Sequence, residues 1–272
     1  MRYKVILIGL FISLVLVNIA CGSNSVSANP EDALISVQKF LGKSDLNPIS
    51  FRTDQGEDDE YFVILTKDGE FYVSVSNLDV ERAYFIQNFQ NNKNIYLSQS
   101  NAFDNAKIFV VDHYPSFLGK KMVLTDAFLQ NHGDAGSEYM FIWREIIDGI
   151  ITPNFAFVSV NPETGQIMGY IGKDQEIKQP ILNNSIISEK EAINIAKEQV
   201  NNVKIDSIHS QIRLIFDKTN SQKLIWEIIV EATSNMPSRT YFNSETKEYF
   251  NFYEPKLYII QIDATTGDLL NS

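Results

Sequence analysis

The stretch Ser188-Glu189-Lys190-Glu191-Ala192-Ile193-Asn194-Ile195-Ala196 constrains the fold most, because weaker versions of it stand twice upstream. The Ser188 hydroxyl is placed to accept from an unpaired N–H of a first helical turn, and Glu191, three residues on, completes a capping box. Ala192, Ile195, Ala196 and Val200 recur at helical spacing and make one apolar stripe. Setting Ala102 against Ala192 also aligns Ala106 with Ala196, Ser98 with Ser188 and Asn101 with Glu191. A third start, Asn29-Pro30-Glu31-Asp32, supplies a cap, a proline suited to the first helical position and two acids for the positive helix end. Ala33, Leu34, Val37, Phe40 and Leu41 form its stripe, and Gly42 ends it. Each helix is followed by strand-like runs. The predicted fold is therefore α+β: tandem small units, each a helix packed on an antiparallel sheet.

The strands come with their turns. Residues 61–66 and 70–75 flank Lys67-Asp68-Gly69, a hairpin signal, and residues 78–86 suit either a further strand or a short helix. Pro115 stops the second helix or soon follows its end. Beyond a variable segment through Gly136, residues 139–146 suit a central strand, Asp148-Gly149 a second hairpin, and residues 155–160 and 166–171 a strand and its return. Asn161-Pro162-Glu163-Thr164-Gly165 between them is a turn whose last residue needs a positive backbone angle. In the third unit residues 208–216 and 224–231 are strands, and Ile225-Trp226-Glu227-Ile228 echoes Ile142-Trp143-Arg144-Glu145. An insertion over 233–254 precedes the closing run Tyr258-Ile259-Ile260-Gln261-Ile262-Asp263-Ala264-Thr265-Thr266-Gly267-Asp268-Leu269-Leu270. The predicted units are 30–95 (degenerate), 97–172 and 187–272, with a linker over 173–186 around Pro180 and Asn183-Asn184.

The N-terminus carries an address. Arg2 and Lys4 precede an uncharged, mostly apolar run of residues 5–20, short for a membrane span but suited to a signal-peptide core. The lone cysteine, Cys21, follows it. Val17-Asn18-Ile19-Ala20-Cys21-Gly22 resembles the lipobox of bacterial lipoproteins, in which the cysteine is lipidated, although Asn18 stands where that pattern usually has leucine. A chance cysteine beside an ordinary cleavage site is the competing reading. The expectation is a signal peptide over 1–20, a lipidated tether over 21–29 and a chain held on the extracytoplasmic face of the cell membrane. Without Arg2 and Lys4 the 23 basic residues become 21 against 34 acidic, a charge of −13. Such a surface repels phosphates and anionic lipid, which argues against nucleic acid as a partner.

The third unit resembles the PepSY domain at both ends, in its helix from Ile187 to Ala196 and in its closing run from Ile260 to Leu270. The second unit is similar to the PepSY-like repeats related to metalloprotease propeptides, in Ile146-Ile147-Asp148-Gly149-Ile150 and in Val158-Ser159-Val160-Asn161-Pro162-Glu163-Thr164-Gly165-Gln166-Ile167. The resemblance implies extracytoplasmic binding modules, some acting as peptidase propeptides or proposed inhibitors, and brings no shared catalytic residues. The insertion over 233–254 departs from the compact family pattern.

Catalytic chemistry has little support in the residues. His113, His132 and His209 fall in different elements, with no pair at ligand spacing, so no metal site and no cofactor is expected. No nucleophile elbow or phosphate-binding glycine loop is present, and the chain is read as no enzyme; a hydrolase using paired carboxylates is the minor alternative. Glu57-Asp58-Asp59-Glu60 lacks the spacing of a calcium loop and suits a solvated one. His113 suits a helix-end cap or dipole partner. Asn161 and Asp263 suit acceptors for their own turns. The aromatics of the insertion are more suggestive. Tyr241, Phe242, Tyr249, Phe250, Phe252 and Tyr253 crowd together among polar neighbours. They are candidates for a partner-binding face, or else they pack onto their own sheet. The expected function is non-catalytic protein binding, with an envelope protein or a peptidase as partner. The alternative is small-ligand binding in a cleft between units.

Overall fold

The structure is a computed structural model that describes residues 29–56, 59–89, 94–178, 186–217, 219 and 221–270. The expected signal segment, Cys21, the tether before Asn29, Glu57, Asp58 and residues 179–185 of the expected linker lie outside them. The described elements run α1 (Pro30–Leu41), β1 (Ser50–Gln55), β2 (Glu60–Leu65), β3 (Glu70–Ser74), β4 (Val80–Tyr84), α2 (Gln99–His113), β5 (Met122–Asn131), β6 (Ser137–Ile147), β7 (Ile150–Val160), β8 (Ile167–Lys173), α3 (Glu189–Glu198), β9 (Val203–Phe216), β10 (Gln222–Ser234), β11 (Arg239–Asn243), β12 (Glu248–Phe252) and β13 (Pro255–Asp263). The class is α+β, and among the described residues the sheets are antiparallel at all but one join. Residues 78–86 hold a strand, β4, and run on into a 3-10 turn at Ile86–Phe89.

The three helices start alike. Asn29 accepts from the N–H groups of Glu31 and Asp32, Ser98 from that of Asn101, and Ser188 from that of Glu191. Four and eight residues after each cap stand Ala33 and Val37, Ala102 and Ala106, and Ala192 and Ala196, all at 0% exposure. Small residues at these positions let the helix backbone come close to the sheet below.

The first two predicted units do not bury separate cores, which corrects the expectation of tandem units there. Their meanders, β1-β2-β3-β4 and β5-β6-β7-β8, meet through their last strands: β4 pairs antiparallel with β8 at Arg82↔Ile171, Ala83↔Tyr170 and Tyr84↔Gly169. An antiparallel join between two equivalent edges relates the halves by a pseudo-two-fold axis through the sheet. Both helices therefore lie on one face. A single row of paired residues crosses eight strands on that face: Phe51, Ile64, Phe71, Ala83, Tyr170, Val158, Phe141 and Ala127. Residues of α1 and α2 share one apolar core with it. Phe40 of α1 meets Phe109 and His113 of α2 with ring centroids 6.0 and 4.6 Å apart. Two phenols fasten the α2 end to β8: Tyr114 donates to the Lys173 carbonyl (2.8 Å) and Tyr170 to that of His113 (3.3 Å).

The third unit adds β9-β10-β13 and has its own small core beneath α3, built on Ala192, Ala196, Ile228, Val230 and Ile262. It joins the body at one parallel residue pair, Ile151↔Arg213, on the part of β7 that β8 leaves open. Pro153 explains the local geometry. It sits where the β6–β7 register shifts, a bulge that accommodates a residue without an N–H inside a long strand. Asn161 and Asp263 cap their own turns as expected, each accepting from two backbone N–H groups, with Gly165 and Gly267 at positive φ.

Candidate functional site

The insertion over 233–254 is the tip of a long hairpin. β10 and β13 pair without interruption from Ile225↔Asp263 to Thr233↔Pro255, and the Ser234 N–H then donates to the Glu254 carbonyl. Beyond that point β11 and β12 form a separate two-stranded ribbon, in register from Arg239↔Phe252 to Asn243↔Glu248. Paired residues of an antiparallel ribbon share a face. Tyr241, Phe250 and Phe252 therefore lie on one face, and Phe242 and Tyr249 on the other, where their ring centroids are 5.0 Å apart. Asn243 accepts from Glu245 and Thr246 to close the turn, and Lys247 takes a positive φ.

None of the six rings packs into either apolar core. Their exposure runs from 42% at Tyr253 to 72% at Tyr249, and Met236 beside them is equally bare. A two-stranded ribbon is marginal in water by itself, so this one holds a costly amount of aromatic surface in solvent. The charges around it balance: Arg239, Lys247 and Lys256 against Glu245, Glu248 and Glu254, within a chain of net charge −11.

A second feature is a cavity of about 830 Å³ between α1, the 77–80 turn and the end of α2. Ile35, Phe40, Leu41 and Leu78 give it an apolar wall, with Asp32, Lys39, Asp112 and His113 as polar groups. His113 is engaged through both ring nitrogens, Nδ1 at 2.8 Å from the Phe109 carbonyl and Nε2 at 3.0 Å from the Phe40 carbonyl. The residue ties the end of one helix to the other.

Buried polar groups gather at the join of the body and the third unit. Glu145 accepts from Thr152 and Asn154, both at 2.8 Å. On the third-unit side of the join, Arg213 of β9 donates to both oxygens of Glu227 of β10 at 2.8 and 2.7 Å. Burial pushes the Glu227 carboxyl up, but the Arg213 guanidinium outweighs it and holds the group below the usual glutamate range. Burial lowers Arg144, and the nearby Arg213 lowers it further. These groups hold strands together and present no open face.

His132 pairs with Glu138 at 2.8 Å, and His209 lies 3.5 Å from the Ser207 hydroxyl, both far in sequence from His113. Among the described residues no group of three His, Cys, Asp or Glu side chains is placed to hold a metal. Asp59 of the acidic loop accepts from the hydroxyls of Ser74 and Ser76. No helix among the described residues is long and apolar enough to cross a membrane.

No protein-family model matches the chain, and no curated protein matches it. Among solved structures it is similar to the Bacillus megaterium YpeB C-terminal domain, with a TM-score of 0.43 and 16% identity over 90% of this chain and 99% of that one. It is also similar to an uncharacterized protein from Eubacterium rectale, with a TM-score of 0.45 and 11% identity over 90% of this chain and 83% of that one.

Proposed function

We propose that this chain is a non-catalytic binding protein, held by a lipid on Cys21 at the extracytoplasmic face of the cell membrane. In this reading its PepSY-like units present the β11–β12 ribbon to an envelope protein or peptidase. The observation that carries the reading is the ribbon itself: six exposed rings on a projecting tip, with balanced charge in an otherwise acidic chain. Tyr and Phe concentrate at interface centres because they bury much area for little lost side-chain freedom. A photo-crosslinking residue at Phe250, in intact cells, is expected to capture one dominant envelope protein. The Tyr249→Ser/Phe252→Ser pair is expected to abolish that capture. Capture unchanged by the pair, or none at all, would remove the ribbon from the reading. Cys21→Ser is expected to release the chain from the membrane fraction.

The cavity between α1 and α2 favours a second reading, small-ligand binding between the first two units. It combines an apolar wall with a few polar groups, as ligand sites do. A ligand there would raise the melting temperature of wild type and not that of a Leu78→Trp variant that fills the space.

A further inference from the structure

Among the described residues the outer edge of β13 has no pairing strand upstream of Gln261, and its hydrogen-bonding parity can be read from its end. Gln261 accepts through its carbonyl from the Leu270 N–H, and the Asp263 N–H donates to Asp268, while the Ala264 N–H turns inward to Leu224. Odd-numbered residues of β13 therefore aim their backbone groups outward. The described part of the returning segment, through Leu270, meets the edge from Gln261 onward, through the Ile262↔Leu269 bridge. Upstream, Leu257 and Ile259 turn N–H and C=O groups out of the sheet, and their side chains are 62% and 58% exposed. Pro255, without an N–H, closes the window at its start.

The geometry points to a second copy of this chain as the occupant of that edge, paired antiparallel, β13 to β13, about a two-fold axis at Tyr258. Three observations favour a copy over another strand. First, the window is self-complementary: in this register Leu257 faces Ile259 of the second copy and exchanges both backbone bonds with it, and the symmetric pair does the same. The four apolar side chains then cluster on one face, Lys256 faces Ile260, and no like charges stand opposite each other. Second, charge permits the approach. The chain carries −11 overall, yet residues 236–262 hold three basic and three acidic side chains, so here two acidic molecules meet without net repulsion. Third, the molecule already uses this join. β4 and β8 meet as equivalent last strands, antiparallel, over three residue pairs, with both helices on one face. Pairing across β13 would set the two α3 helices on one face in the same way. An exposed apolar edge without such a cover is a template for uncontrolled pairing. The edge carries this inference, not the rings, so it stands apart from the partner reading above.

The test is sedimentation equilibrium of the full chain in mild detergent, with the Ile259→Pro variant beside it. The Ile259 N–H points outward, so proline there removes a bond to the second copy and leaves the β10 ladder intact. Wild type is expected to show a concentration-dependent monomer–dimer equilibrium. Ile259→Pro is expected to raise its dissociation constant by about tenfold or more, two symmetric bonds being lost, with an unchanged circular dichroism spectrum. If Ile259→Pro fails to fold, Leu257→Lys, at an exposed position, is expected to give the same weakening. A monomer at every concentration would overturn the inference and leave the edge to a strand from a different protein. So would a dimer that a folded edge variant leaves intact.

Discussion

In the β1–β8 body the last strand of each helix-and-sheet half finds the other's, and the two halves close over one core. In the third unit the same kind of helix, with two buried alanines as in α2, covers three strands, and among the described residues the outer strand is met only by a short return. The body thus closes its core within the chain, with Phe40, Phe109 and His113 filling the seam, and leaves β1 and β5 as exposed margins of its sheet. The third unit keeps its unused features outside, a bare edge and a bare aromatic tip. The difference teaches where to look for association. Two halves that share one core bury their apolar faces against each other, and a unit that does not share its core keeps an apolar edge and tip in solvent.

The largest test of this contrast sets the two echoing tryptophans against each other. Trp143 is buried in the shared core among Phe103, Phe117 and Phe141. Trp226 is only partly buried and donates from Nε1 to the Ile187 carbonyl at 3.1 Å. In urea unfolding, Trp143→Ala is expected to cost about 3–5 kcal/mol, and Trp226→Ala about 1–2 kcal/mol. Equal costs would mean that the third unit is as tightly bound as the body.

The join between the regions comes next. Glu227→Ala leaves Arg213 facing Arg144 without its counter-charge, at an expected cost of about 2–3 kcal/mol, below that of a fully buried pair because Arg213 keeps a quarter of its side chain in solvent. The sign of the pH effect follows from the lowered Glu227 carboxyl. Its contribution is present above the unfolded glutamate value, about 4.3, and is lost as pH falls through the lower folded one. Melting temperatures taken from pH 6 down to pH 3 should therefore fall less steeply in Glu227→Gln than in wild type. Parallel curves would show that this pair adds nothing to the acid sensitivity of the fold.

The smallest effect is expected at the tip. Tyr249→Ser/Phe252→Ser should leave unfolding free energy within about 0.5 kcal/mol of wild type, because rings already in solvent lose no burial. A larger loss would mean that these rings support their own ribbon.

The helices were legible in the sequence because a cap and a buried stripe are local signals, and Ser98 and Ser188 bond as the spacing predicts. β1 and β5 were not predicted. Both lie at margins of the sheet and are exposed along almost their whole length, so neither shows the alternation that marks a half-buried strand. The start of β7 was hidden by Pro153, whose bulge depends on what faces it across the sheet. Gly69 carries a hairpin signal, but its φ is not positive. It is glycine because a Cβ there would stand 2.3 Å from the Tyr84 carbonyl oxygen, a contact made by a strand well downstream. At the site, composition revealed the six aromatics, but only the register shows that they occupy both faces of a ribbon without a core. The free edge had no sequence signal, since it depends on which way alternate backbone groups point. The fusion of the first two units was equally hidden, because the joining residues Ala83 and Tyr170 carry no mark of each other.

The β4–β8 join also sets the order in which the molecule can be built. Ala83 and Tyr170 lie roughly 90 residues apart, so their pairing closes a long loop and must come late. As the chain emerges, α1 and β1–β4 exist for some time with the outer edge of β4 unpaired and Phe40 lacking the second helix that later packs against it. Until β8 is made, the first half is a sticky intermediate whose correct neighbour has not yet been synthesised. The acidic charge of this chain, spread over a half-finished sheet, is then a means of keeping nascent copies apart until each can complete its own core.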